Sequence, residues 1–103
     1  MEQIVKVLTE LIINKTKNPY IRFILKKDYK QMKLKAYREF SIELFLHYKG
    51  ENKLVLKTSH TENTSGTPND SLWKMVDSLF VYDILKWTLS KEWESLVNEY
   101  TME

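Results

Sequence analysis

The sequence predicts an α+β domain: an N-terminal helix, an antiparallel β-meander of three to four strands and two C-terminal helices packed on one face of the sheet, in the order αβββαα. Between Met32 and Tyr48 apolar side chains occupy the even-numbered positions, interrupted only at Arg38, and a period of two is typical of a strand with one buried face. The flanking segments repeat apolar residues at helical spacing instead. With 103 residues, a single domain over 1–103 is expected.

The first helix is predicted over residues 2–14. Its apolar residues recur three or four positions apart, as one buried stripe requires; they are Ile4, Val5, Leu8, Leu11 and Ile12. Asn18-Pro19 follows, and proline disfavours helical geometry in the residue before it. We therefore expect the helix to end before Asn18.

The first strand is predicted over residues 20–26, with Lys27-Asp28 as its turn. Residues 29–40 fit either a strand or one face of a helix. We prefer the strand, because its alternation continues in phase into the next segment. The irregularity at Tyr37–Glu39 is interpreted as a bulge or bend within one long strand, or as a short turn between two strands.

The strand over residues 40–48 has the clearest alternation. Residues 49–52 then predict a hairpin turn in which Gly50 adopts positive φ, and 53–58 predict the returning strand. Residues 59–70 are polar and contain Gly66 and Pro68, which predicts a loop.

Two helices are predicted over residues 71–81 and 83–100, with Asn69 or Asp70 as the first cap and a single bent helix as the alternative. Each has one apolar stripe; the first is Leu72, Val76, Leu79 and Phe80, and the second is Leu85, Leu89, Trp93, Leu96, Val97 and Tyr100. Between them the apolar residues point in nearly all directions, which predicts a buried junction; they are Val81, Tyr82, Ile84 and Leu85.

Composition argues against several classes of function. The chain has no cysteine, and its two glycines cannot build a phosphate-binding loop or a nucleophile elbow. His47 and His60 lack the partners that a metal or catalytic site needs, and Glu39 and Glu43 on one strand face are explained by neighbouring lysines. We therefore expect no enzyme activity, no catalytic residues, no metal and no cofactor. Without a signal peptide or a long apolar span, we expect a cytoplasmic protein that does not contact a membrane.

Charge is unevenly distributed. Residues 1–57 carry thirteen Lys or Arg and six Asp or Glu, whereas residues 58–103 carry three and eight. The cations concentrate in a basic cluster that also contains two tyrosines, and these residues are the candidates for contact with nucleic acid or an acidic partner: Arg22, Lys26, Lys27, Tyr29, Lys30, Lys33, Lys35, Tyr37 and Arg38. If the strands are adjacent, Arg22, Lys26, Lys33 and Lys35 are expected to share the helix-free face. Exposed lysines that keep a sheet soluble are the alternative explanation.

The acidic C-terminal half predicts a protein interface instead. Acidic side chains there could dock onto a basic surface, and an exposed tryptophan beside charges resembles an interface anchor, although packing in the core is the simpler expectation for tryptophan. The candidates for this interface are Trp73, Asp77, Asp83, Trp87, Glu92 and Glu94.

The function predicted from the sequence is a small non-enzymatic binding module in a nucleic-acid-related process. It either binds nucleic acid through the basic strands or, as in some phage and viral proteins, binds and inhibits a host or defence protein that handles nucleic acid. A self-associating structural protein is the second alternative, and a homodimer is compatible with each of these functions.

Overall fold

The computed structural model describes residues 1–32, 37–62 and 70–102, without the side chains of Met32 and Asp70. Its elements are α1 (Glu2–Thr16), β1 (Arg22–Met32), β2 (Tyr37–Tyr48), β3 (Glu51–Glu62), α2 (Asp70–Thr88) and α3 (Lys91–Tyr100). The three strands form one antiparallel sheet in the order β1-β2-β3. The predicted αβββαα architecture is confirmed.

One face of the sheet carries the core. Phe40, Ile42, Leu44 and Leu46 of β2 all lie on it and are at most 1% exposed. Their cross-strand neighbours share the face, because directly paired residues in a sheet point the same way. All three helices pack against this core, so we call it the covered face and the other side the open face.

Each helix has a distinct place on the covered face. α1 lies along β1, the edge strand of the sheet. The backbone amide of Phe23 on this strand donates a hydrogen bond to the Thr9 hydroxyl of α1 at 3.1 Å. α2 crosses β2 and β3, and α3 packs against both other helices. Phe23 of β1, Trp87 of α2 and Trp93 of α3 form an aromatic cluster in the core, with ring centroids 5.0 to 6.3 Å apart.

The first hairpin differs from its prediction. Lys27-Asp28 is not a turn: β1 continues through it to Met32, and Asp28 pairs with Ser41. Alternation explains the error, because in a strand the two charges point to opposite faces. Lys27 contacts Asp77 on the covered face, and Asp28 lies beside Ser41 on the open face. Residues 29–32 and 37–40 are strand, as preferred, while 33–36 lie outside the described residues.

The alternative of two strands is confirmed, because β1 ends at Met32 and β2 begins at Tyr37, but the irregularity predicted at Tyr37–Glu39 is not found there. Those residues pair regularly, and the shift in register falls between Leu44 and Phe45, opposite β3. The turn predicted over residues 49–52 is confirmed at Lys49-Gly50, whose φ of 52° and 78° are the geometry of a two-residue hairpin turn with both central residues left-handed. Glu51 and Asn52 already belong to β3. β3 includes residues 59–62, which were predicted as loop, because they pair with β2 as far as Arg38.

The C-terminal segment forms two helices, as predicted, but they separate at Leu89-Ser90 rather than near residue 82. Ser90 begins α3 by accepting the Trp93 amide on its hydroxyl at 3.4 Å. α2 therefore continues straight through the expected buried junction. Ile84 is buried, but Tyr82 and Leu85 are 61% and 58% exposed, so the junction prediction was wrong for these two residues. The predicted cap at Asn69 or Asp70 lies outside the described side chains.

Candidate interaction surfaces

The open face is a ladder of cross-strand rows. Its central row is apolar and consists of Ile24, Phe45 and Leu54. The other rows are polar or charged: Arg22–His47–Asn52, Lys26–Glu43–Lys57, Asp28–Ser41–Ser59 and Lys30–Glu39–Thr61. Among the described residues of this face, four cations in these rows stand against three carboxylates, so the net charge of the described surface is small.

The structure divides the basic cluster between the two faces. Arg22, Lys26 and Lys30 are exposed on the open face. Lys27 points the other way, where its Nζ lies 2.8 Å from Asp77 Oδ1. Arg38 is only 6% exposed and pairs with Glu62 at 3.2 Å. Lys33 and Lys35, expected on the helix-free face, fall outside the described residues.

The two tyrosines of the cluster are also separated. Tyr29 lies on the covered face with its ring 5.3 Å from that of Phe40, and its hydroxyl donates to Gln31 at 2.9 Å. Tyr37 is half-buried on the open face, at the beginning of β2. Its backbone carbonyl accepts a hydrogen bond from the side-chain amide of Gln31. Tyr29 is thus packed against the core, and only Tyr37 lies on the face that carries the exposed cations.

The predicted protein-interface residues are dispersed. Trp87 is 8% exposed in the aromatic cluster, and Trp73 is half-buried with its ring edge-on to Phe40, 5.1 Å away. Asp77 pairs with Lys27, and Asp83 accepts a 2.7 Å hydrogen bond from Thr58. The two glutamates, Glu92 and Glu94, are exposed in the first turn of α3. Of the six candidates, only these glutamates point freely to solvent.

The histidines belong to different surfaces. His47 hydrogen-bonds Asn52 on the open face at 2.6 Å, whereas His60 contacts Glu62 on the covered face at 3.2 Å. The hydrogen bond from His60 and the nearby Arg38 together lower the pKa of the Glu62 carboxyl below its ordinary value, against a smaller opposing effect of burial. This network lies at one end of the core, where Arg38 also lies over the Phe40 ring, 5.6 Å from its centroid.

The surface that the sequence reasoning missed is the outer side of α2. Several of its large apolar side chains are exposed: Met75 38%, Leu79 41%, Tyr82 61%, Leu85 58% and, directly after the helix, Leu89 89%. We call these five residues and Lys86 the outer seam. The Lys86 ammonium lies 5.3 Å from the Tyr82 ring centroid. A contiguous exposed apolar strip of this kind is typical of an interaction site.

A groove between α1 and α2 borders the outer seam. It has a volume of about 620 Å³ and is lined by Ile4 and Val7 on the α1 side and by Val81 with the polar Asp77 and Ser78 on the α2 side. Val7 is 53% exposed, and Leu11, one turn further along α1, is 37% exposed. The apolar surface is thus not confined to α2 but extends onto α1.

No family model, curated protein or solved structure matches this chain. Among residues 1–32, 37–62 and 70–102, no helix is long and apolar enough to cross a membrane. The interaction surfaces therefore have to be interpreted from their own chemistry.

Proposed function

We propose that this protein is a non-enzymatic, cytoplasmic binding module that recognises another protein chain through the outer seam of α2. The observation that supports this most strongly is the exposure of Tyr82, Leu85 and Leu89 on a helix whose opposite side already fills the core. Exposed apolar area of this extent is unfavourable in water, and a protein partner would remove it.

The proposal keeps the class of function expected from the sequence but moves the contact surface. Tryptophans and acidic residues were expected to anchor a protein, yet Trp87 packs in the core, while Asp77 and Asp83 already bond to the sheet. An apolar seam with Lys86 as its one charge calls for a partner surface that is itself apolar and poor in charge.

Site-specific photocrosslinking tests the proposal. A photoreactive phenylalanine analogue at Tyr82, in cells that produce the protein, is expected to give a covalent adduct with a polypeptide, and Leu79→Lys should abolish it. Tyr20 provides the matched control, because it is equally aromatic and 71% exposed but lies outside α2. Absence of any adduct from position 82, or equal adducts from positions 20 and 82, would contradict the proposal.

The open face supports a second candidate, weak contact with single-stranded nucleic acid. Arg22, Lys26 and Lys57 surround the row of Phe45, a half-buried aromatic ring in the central strand. Cations that follow a backbone around an aromatic platform are the usual elements of such sites. Lys30 also lies on this face, and if all four cations each neutralise one phosphate, log affinity should fall with log salt with a slope of roughly −3.

Fluorescence anisotropy with single- and double-stranded oligonucleotides at low and physiological salt separates this candidate from the first. Lys26→Glu should weaken binding, whereas Lys27→Glu, on the next residue but the opposite face, should leave it unchanged. No binding at low salt, or equal loss in both variants, would exclude the open face as a nucleic-acid site.

A further inference from the structure

We infer that the partner of the outer seam is a second copy of this chain, bound so that the two α2 helices cross antiparallel at the centre of a symmetric dimer. The inference rests on the proposed function and names its partner. It follows from the spacing of the seam, from the position of its charge and from the apolar surface beside it.

The spacing of the seam is that of a helix pair. Four of its five members within α2, at positions 75, 79, 82 and 86, are separated alternately by four and three residues; Leu89, directly after the helix, continues this spacing, and Leu85 lies beside the line. This repeat keeps one line of side chains facing a partner helix along its whole length. From Met75 to Leu89 the seam extends about 21 Å, at 1.5 Å per residue. A helix with the same repeat is the simplest surface that matches it.

Lys86 selects the direction of the pairing. In a parallel symmetric pair each Lys86 would face its own copy, placing two ammonium groups together in an apolar contact. In an antiparallel pair Leu79 faces the partner's Tyr82 and Met75 faces the partner's Lys86, so that the lysine stem covers the thioether. The two ammonium groups are then about 16 Å apart along the axis, beyond the screening length at physiological salt. Only the antiparallel arrangement accommodates this charge.

The surface beside α2 supplies additional contact area. A stable dimer usually buries about 800 Å² on each partner, more than a four-turn helix stripe provides alone. The groove between α1 and α2 opens beside the seam, and exposed Val7 and Leu11 continue its apolar wall. With both helices of each chain in the contact, we expect a reversible dimer whose open faces point outward on opposite sides.

Sedimentation velocity measures the dimer in solution. The wild-type protein should shift from 12.4 kDa towards twice that mass with increasing concentration, and Leu79→Lys should remain monomeric throughout. Leu54→Lys is the matched control, because Leu54 is similarly exposed at 47% but lies on the open face, and this variant should dimerise like wild type. Circular dichroism verifies that each variant is folded.

A charge scan at Met75 tests the direction of the helices. In the antiparallel dimer Met75→Glu meets the partner's Lys86, whereas Met75→Lys meets a like charge, so the glutamate variant should dimerise at least roughly tenfold more tightly. In a parallel dimer both variants would place like charges together and weaken association equally. Equal weakening would therefore overturn the antiparallel arrangement.

The outcomes separate this inference from the proposed function. A wild-type protein that is monomeric at every concentration, while position 82 crosslinks to a different polypeptide, overturns the dimer and leaves the proposed function standing. A monomer without any adduct at position 82 overturns both. A dimer that persists in Leu79→Lys overturns the assignment of the seam as its interface.

Discussion

Lys27 Nζ lies 2.8 Å from Asp77 Oδ1, which joins a cation of the basic cluster to an acid of α2 within one chain. Arg38–Glu62 and Lys53–Glu99 likewise link the basic first half to the acidic second half. The charge asymmetry that the sequence shows is thus partly neutralised by folding. This is why it is a weaker guide to a partner than the apolar outer seam.

Because Lys27 and Asp77 are each about one-third exposed, their pair should contribute little to stability. Solvent screens such pairs, so we expect Lys27→Met to change the free energy of unfolding by less than about 1 kcal/mol. Urea denaturation measures this difference. A substantially larger loss would mean that the pair organises the contact between β1 and α2.

Phe40→Ala should strongly destabilise the folded protein. The ring is fully buried and contacts the rings of Tyr29 and Trp73 with centroids 5.3 and 5.1 Å away. Truncation removes this packing and leaves a cavity, at a cost of about 3–5 kcal/mol. Thermal and urea denaturation at low protein concentration should both detect it. A loss below about 1 kcal/mol would contradict the assigned core.

The sequence predicted the elements whose periodicity is unambiguous. β2 has one apolar side, so its burial followed directly from spacing; in α1 the spacing predicted the buried Leu8 and Ile12 but also Leu11, which is 37% exposed. α2 has two apolar sides: Val76, Phe80 and Ile84 face the sheet, while Leu79 and Tyr82 face solvent. Periodicity cannot distinguish an apolar stripe that faces the core from one that faces a partner. The predictions therefore combined the two stripes and placed the helix boundary too early.

Side-chain direction also limited the prediction of the candidate site. A one-residue change of position reverses the face in a strand. Alternation placed Lys26 on the helix-free face, where the structure has it, but Lys27 was predicted in a turn, so its opposite direction and its pairing with α2 were not predicted. That distinction required the register of β1 against β2 and the position of α2 above it.

Stability should decrease at acidic pH through Glu62. Its pKa is lowered in the folded protein, so its contribution is complete above the pKa of the unfolded chain and is lost as the pH falls through the folded value. We expect Glu62→Gln to lower the melting temperature at neutral pH and to flatten its fall under acid conditions. Melting curves of both proteins between neutral and acidic pH test this. Parallel curves would exclude Glu62 as a source of the pH dependence.

Gly50→Ala should destabilise the β2–β3 hairpin through its backbone alone. The glycine has φ of 78°, and an added Cβ would meet no atom within 4 Å. Left-handed geometry costs a residue with a side chain about 1 kcal/mol. Gly50→Asn should lose less, since asparagine tolerates this conformation better. Equal losses in urea denaturation for both variants would show that the effect is not conformational.

The outer seam of α2 is the proposed contact surface of this protein, and a second copy is its proposed occupant. A dilution series of amide ¹H–¹⁵N correlation spectra examines both proposals together, because each residue reports on its own surroundings. We expect concentration-dependent shifts or broadening for residues 75–89, with smaller changes around Val7 and Leu11 and none on the open face from Arg22 to Lys30. Changes confined to the open face, or spectra independent of concentration, would contradict the assignment of the seam as a dimer interface.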